Sequence, residues 1–278
     1  MRARKRNPKT RGTAGDPESL LRSLLRKGHL LGRRGEWRES LRIYGQALRH
    51  SRGLKPSPIV GTTYQEVGNS RAALGRIRSA LSAYEMALKV FSRLGDTARE
   101  ASLRNVMGLL FLERGELGRA ASHCRQGLEV AEQAGNSSLM ATLSNNLGII
   151  YSQQGKGQKA IGLFLESILK HQRTRNRRGL AQTYYNLAMT YSNLGEWDRA
   201  REYSERSLEL STRLGEDPLT SMAYLNLAEV SLRLQDIPLA RAYCSKAVQS
   251  YPRLRDLSSI HNDYRVYGCL QWGERVSP

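Results

Sequence analysis

The run Gly155-Lys156-Gly157-Gln158-Lys159-Ala160 matches a loose G-x-G-x-x-A pattern, which on a dinucleotide-binding fold would cradle a pyrophosphate. That chemistry needs a strand before the glycines and a helix N-terminus after them, whereas these residues read as a turn between two helices. His29, His50, His123, His171 and His261 show no H-E-x-x-H spacing, and neither a G-x-S-x-G elbow nor a G-K-[ST] loop occurs. Cys124, Cys244 and Cys269 lie far apart and supply no C-x-x-C pair for a metal. Asn136-Ser137-Ser138 matches a glycosylation acceptor, a match expected to be chance because no apolar stretch of the signal-peptide kind lies behind Met1. No nucleophile is paired with a base, so the expectation is a non-enzyme with no catalytic, cofactor or metal site.

The elements that would position any site are set by a repeat. Gly28, Gly68, Gly108 and Gly148 are spaced by 40 residues, and Ala188, Ala228 and Gly268 continue the series. A second ladder reads Gly35, Gly75, Gly115, Gly155 and Gly195, with Gln235 sixth; a third reads Ser40, Ala80, Ala120, Ala160, Ala200 and Ala240. Apolar columns keep the same phase: Leu48, Leu88, Leu128, Ile168, Leu208 and Val248 in one, Val67, Met107, Leu147, Leu187, Leu227 and Tyr267 in another. Each period therefore predicts two amphipathic helices, A and B, joined by a glycine-containing turn. Small residues have a physical task here, because antiparallel helices packed about 8–10 Å apart admit little side chain at their closest contact.

Helix punctuation falls between the periods. Gly95-Asp96, Gly135-Asn136 and Gly215 followed by Asp217-Pro218 each offer a glycine to end helix B and a short polar residue to cap the next helix A. Ser57-Pro58 does the same earlier, with proline where its missing N–H costs nothing. The expected fold is all-α: a solenoid of about six helix-turn-helix repeats over residues 18–278, in frames 24–63, 64–103, 104–143, 144–183, 184–223 and 224–263, with a partial seventh at 264–278.

Apolar residues make up 40% of the 278, enough for a buried core, and the net charge is +19. Residues 1–17 are expected to be a disordered basic tail, with Arg2, Arg4, Lys5, Arg6, Lys9 and Arg11 and no acid before Asp16. Nowhere do 18 apolar residues run together, so no membrane role and a cytoplasmic location are expected.

Tyr184, Leu187, Ala188, Tyr191, Gly195, Trp197 and Ala200 fill the motif positions of a known family, and Gly148, Tyr151, Gly155, Ala160 and Phe164 repeat most of them. In these residues the chain resembles the tetratricopeptide repeat superfamily, in the 40-residue form of LGN, kinesin light chains and bacterial peptide-sensing regulators. Departures are Arg71 where an aromatic is usual, Ser231 and Gln235 in the sixth period, and Gly157 at a place usually bulky.

The resemblance implies protein recognition, with A helices lining a concave groove that holds an extended peptide or a partner helix. It places the family's groove asparagine on Asn146, Asn186 and Asn226, and Arg26 in the same column of the first frame. A side-chain amide offers both a donor and an acceptor, so it can pair with a peptide backbone of any sequence. Asn105, Asn145, Tyr185, Gln153 and Asn193 are expected on or near that face, with Leu109, Ile149 and Met189 adding apolar contact. The competing reading of the asparagines is that they cap or bridge within the repeats.

Arg22, Arg26, Lys27, Arg33 and Arg34 gather on one predicted helix, where they would steer an acidic partner. Two alternatives stay open: a nucleic-acid-associated basic repeat protein, and a peptide-sensing module detached from a larger regulator. Single-strand binding is disfavoured, because Tyr44, Tyr84, Tyr151, Phe164, Tyr191 and Trp197 occupy repeat-packing positions rather than a stacking platform. At the other end, Tyr267, Leu270 and Trp272 close a seventh helix A without a helix B. That end is expected to self-associate, to dock on a partner, or to mark a truncated longer array.

Overall fold

The structure, a computed structural model, describes residues 17–250. Among these, twelve α-helices follow one another and no strand occurs: α1 (Pro17–Arg33), α2 (Trp37–His50), α3 (Pro58–Ala73), α4 (Ile77–Leu94), α5 (Thr97–Glu113), α6 (Leu117–Gln133), α7 (Ser137–Gln153), α8 (Gly157–Arg173), α9 (Arg177–Asn193), α10 (Trp197–Leu214), α11 (Asp217–Arg233) and α12 (Ile237–Ser250). Odd-numbered helices are the A helices and even-numbered ones the B helices. Frames counted from residue 24 cut each A helix internally, since the ladders carry the period but not the first residue of a pair. The basic stretch before Asp16 and the expected seventh helix A, with Tyr267, Leu270 and Trp272, lie outside the described residues.

The turns obey backbone sterics. Gly35, Gly75, Gly115, Gly155 and Gly195 sit between A and B helices at φ between +71° and +77°, the left-handed region that a Cβ disfavours. Gln235 holds the same place at φ +65°, and Arg175 takes a glycine's place after α8 at φ +54°. Caps follow too: the side chains of Asp96 and Asn136 accept the N–H groups of Arg99 and Leu139, each at 3.1 Å. α11 differs from expectation, because Glu216 occupies the cap and Asp217 is already helical.

The described helices cluster into two compact units that divide after Leu103, inside α5. In the first, Tyr44, Val67 and Ala83 form a core with Leu25, Leu41 and Leu48 against it. In the second, Phe164, Ile168, Tyr184, Leu187 and Tyr191 belong to one buried cluster.

The glycine ladder is explained by what faces it. Gly28 lies against the ring of Tyr44 and Gly68 against that of Tyr84, while a Cβ on Gly148 would stand 2.7 Å from Phe164. Where the ladder carries Ala188, the residue sixteen positions on shrinks to Ser204, and both are fully buried. Large rings thus meet a missing side chain, and a methyl meets a small one. Two family departures are also accommodated: Arg71 donates to the carbonyl of Ser79 at 2.8 Å, and Leu194 fills the space beside Gly157.

Candidate functional site

The A helices of the second unit are depleted in charge. α7 contains no ionisable acid or base except Tyr151, and α9 has Arg177 and Arg178 in its first turn and no Asp, Glu, Lys or His after them. In a chain with 25% charged residues, α7 and the part of α9 after Arg178 present amides, hydroxyls and apolar groups alone.

Those amides are joined. Gln182 donates through Nε2 to Asn186 Oδ1 at 3.3 Å, and Asn186 through Nδ2 to Asn145 Oδ1 at 2.9 Å. Asn145 donates to Asn146 at 3.2 Å, and Asn146 to Asn105 at 2.8 Å. A chain of carboxamides therefore crosses α9, α7 and α5, and its two longer links join neighbouring repeats, whereas the competing sequence reading had bridges within one. Asn145 and Asn146 are each 8% exposed; Asn105 and Asn186 are half-buried, and Gln182 is exposed. Each link uses one N–H and one oxygen, so a carboxamide keeps a second donor and a second lone-pair direction.

The other expected residues divide. Gln153 and Asn193 are exposed at the last residues of α7 and α9, and Met189 is half-buried. Tyr185 is buried with Ala181 and Leu219, and Met189 packs against that cluster. Asn226 is corrected from groove to core: it is fully buried, receives Ser192 Oγ at 3.2 Å and donates to Ser204 Oγ at 2.7 Å. Burial without those bonds would be costly, and with them the amide is spoken for by α9 and α10 of the preceding repeat. Arg26 belongs to the first unit, where it is exposed and lines a cavity of about 430 Å³ with Arg22, His29, Pro58, Ile59 and Arg99. Arg22 and Arg99 are already paired there, with Glu18 and Asp96.

Sequence reasoning missed the links because they join two columns. Asn105 and Asn145 share one, Asn146 and Asn186 the next, and the bonds run between residues 41 apart. The visible signal was the neighbouring pair Asn145-Asn146, which belongs to both.

Reactive groups are subdued. Burial pushes the Cys124 thiol up to about 12, which removes the thiolate at neutral pH. It likewise pushes Tyr44 and Tyr84 up to about 12. Gly155 follows helix α7 rather than a strand, so the dinucleotide pattern lacks its strand–turn–helix setting. No group of three or more His, Cys, Asp or Glu that could hold a metal exists among the described residues. Tyr44, Tyr84, Phe164 and Tyr191 are buried, and Tyr151 and Trp197 are half-buried against the core.

A family model for the tetratricopeptide repeat matches residues 19–93, 99–168 and 179–253. The chain belongs to the tetratricopeptide repeat family. Solved structures agree with that fold. BtubC (BKLC) from P. vanneervenii is 22% identical with a TM-score of 0.65, over 90% of this chain and 95% of its own. A signal transduction ATPase with a tetratricopeptide repeat sensor, from Pyrococcus horikoshii, is 16% identical with a TM-score of 0.78, over 88% of this chain and 38% of its own. Aspartyl phosphate phosphatase F from Bacillus subtilis is 16% identical with a TM-score of 0.67, over 84% and 70%. At such identities the likeness carries the fold alone. No curated protein matches the chain by sequence. The tetratricopeptide repeats are of the 40-residue kind, and no helix among the described residues is long and apolar enough to cross a membrane.

Proposed function

We propose that this tetratricopeptide repeat chain is a non-catalytic protein-interaction module, whose helices α5, α7 and α9 receive an extended peptide or a partner helix. The observation that carries the reading is the carboxamide chain from Gln182 to Asn105, set in two helices nearly free of ionised side chains. Displacing water from a charge-free strip avoids the desolvation that ions would impose. The linked amides are held in place before a ligand arrives, so less ordering opposes binding. Each amide–backbone bond contributes about 1 kcal/mol net, so several together matter more than any one. Ile149 and Met189, both half-buried, add apolar area beside the amides.

Selection from a random peptide library displayed on phage tests this on the purified chain. Enriched peptides are expected to weaken at least about tenfold on Met189→Lys, which places a cation in the uncharged strip, and on Gln182→Ala with Asn186→Ala. Lys159→Glu on α8 serves as the control and leaves them unchanged. Enrichment of no peptide, or equal binding by the Met189→Lys chain, overturns the reading.

A further inference from the structure

The junction between α2 and α3 is unlike the other B-to-A junctions among the described residues. Two or three residues separate the helices elsewhere, whereas 51–57 intervene here. α2 has 14 residues against 17 or 18 in α4, α6, α8 and α10. Sequence causes the shortening. Gly53 sits at φ +81°, outside helical backbone, and Pro56 disfavours helix at Lys55 while lacking the N–H a further turn would use.

The lost turn leaves a hollow of about 500 Å³ between α2, α3, α4 and the junction. Apolar groups of Leu54, Tyr64, Met86 and Val90 line it, and Leu54 and Met86 are 42% and 38% exposed. Arg49, Arg52 and Lys55 stand around it, with no acid among the lining residues. None of these three cations enters an ion pair among the described residues. Three uncompensated cations around an apolar hollow ask for a ligand that is anionic outside and apolar at one point.

We propose that this hollow is a second docking site, taking one large apolar side chain from an extended acidic segment of a partner protein. The cations attract the acids and raise the encounter rate, and the apolar side chain supplies the part of the affinity that salt does not screen. A bare polyanion uses the rim and leaves the hollow empty. The site is built from residues 45–90 alone and does not involve the carboxamide chain of residues 105–186.

Fluorescence polarisation on the full chain separates these cases with three labelled peptides: acidic with a central leucine, acidic with a central serine, and lysine-flanked with a central leucine. The leucine-centred acidic peptide is expected to bind at least about tenfold tighter than either other. Arg52→Glu with Lys55→Glu abolishes most of that binding. Gly45→Leu fills the hollow, and its Cβ meets nothing nearer than the end of Arg49 at 3.7 Å, so the fold accommodates it. It is expected to weaken the leucine-centred peptide about tenfold. Met86→Glu, at an exposed position, gives an independent reading should Gly45→Leu disturb the melt. Met189→Lys leaves all three peptides unchanged, which keeps this site's failure distinct from that of the helix-A face. Equal binding of the serine-centred peptide or of a single-stranded oligonucleotide, unaffected by Gly45→Leu and Met86→Glu, would overturn the proposal, as would binding of none.

Discussion

At Gly148 the packing leaves no room for a methyl, because the nearest atoms of the Phe164 ring stand 2.7, 2.9 and 2.9 Å from where a Cβ would be. Phe164 is fully buried and cannot swing away without moving its neighbours. Gly162, two residues before Phe164 on α8, has nothing within 4 Å of its Cβ position. The two glycines should therefore respond oppositely to alanine. Gly148→Ala is expected to destabilise by about 1–3 kcal/mol through overpacking, and Gly162→Ala to stabilise by about 0.5–1 kcal/mol through lower unfolded-state entropy and better helix propensity. Urea unfolding of the two variants beside the parent measures both; a stabilised Gly148→Ala would mean that the ladder glycines are not there for the rings.

Between elements, the junction from α8 to α9 holds a buried histidine whose charged form the fold opposes. His171 is 3% exposed in the last turns of α8, its Nδ1 has no hydrogen-bond partner, and Gly179 of α9 lies against the ring with no side chain of its own. Burial lowers its pKa below the ordinary 6.5, so the fold prefers the neutral ring. As pH falls through about 6.5 the unfolded chain takes up a proton that the folded chain refuses, so stability falls toward acid and is fully present above that window. Urea midpoints at pH 7.5 and 5.5 are expected to drop more in the parent than in His171→Phe, which keeps a planar ring and cannot titrate. A parallel drop in both would assign the acid sensitivity to other groups. This junction also shows where sequence was readable and where it was not. Glycine and short polar residues marked the ends of α4 and α6 correctly, because a left-handed residue and a cap are local requirements. Arg175 at φ +54° and the burial of His171 depend on α8 and α9 meeting, which no local pattern encodes.

For the whole molecule, the period of 40 was legible because close helix packing repeats the same small residue at the same place, and it led to paired helices, twelve of them among the described residues, and to a family. The site was less legible. Asn226 stands in the same column as Asn146 and Asn186, yet its surroundings in α9 and α10 turn it inward to Ser192 and Ser204. A column records register on the helix; exposure depends on what the neighbouring repeat supplies. The same neighbour dependence governs stability, since each helix pair of a solenoid gains its energy from adjacent pairs rather than from distant ones. Phe164→Ala removes a ring that is fully buried between α7 and α8, at a cost of about 3–5 kcal/mol. Native-state hydrogen exchange should then quicken most in α7, α8 and α9 and progressively less toward α12, because opening begins at the weakened pair and spreads through its interfaces. Equal acceleration of every amide from α6 to α12 would instead mean that residues 104–250 open as one cooperative body, with the repeats sharing a single transition.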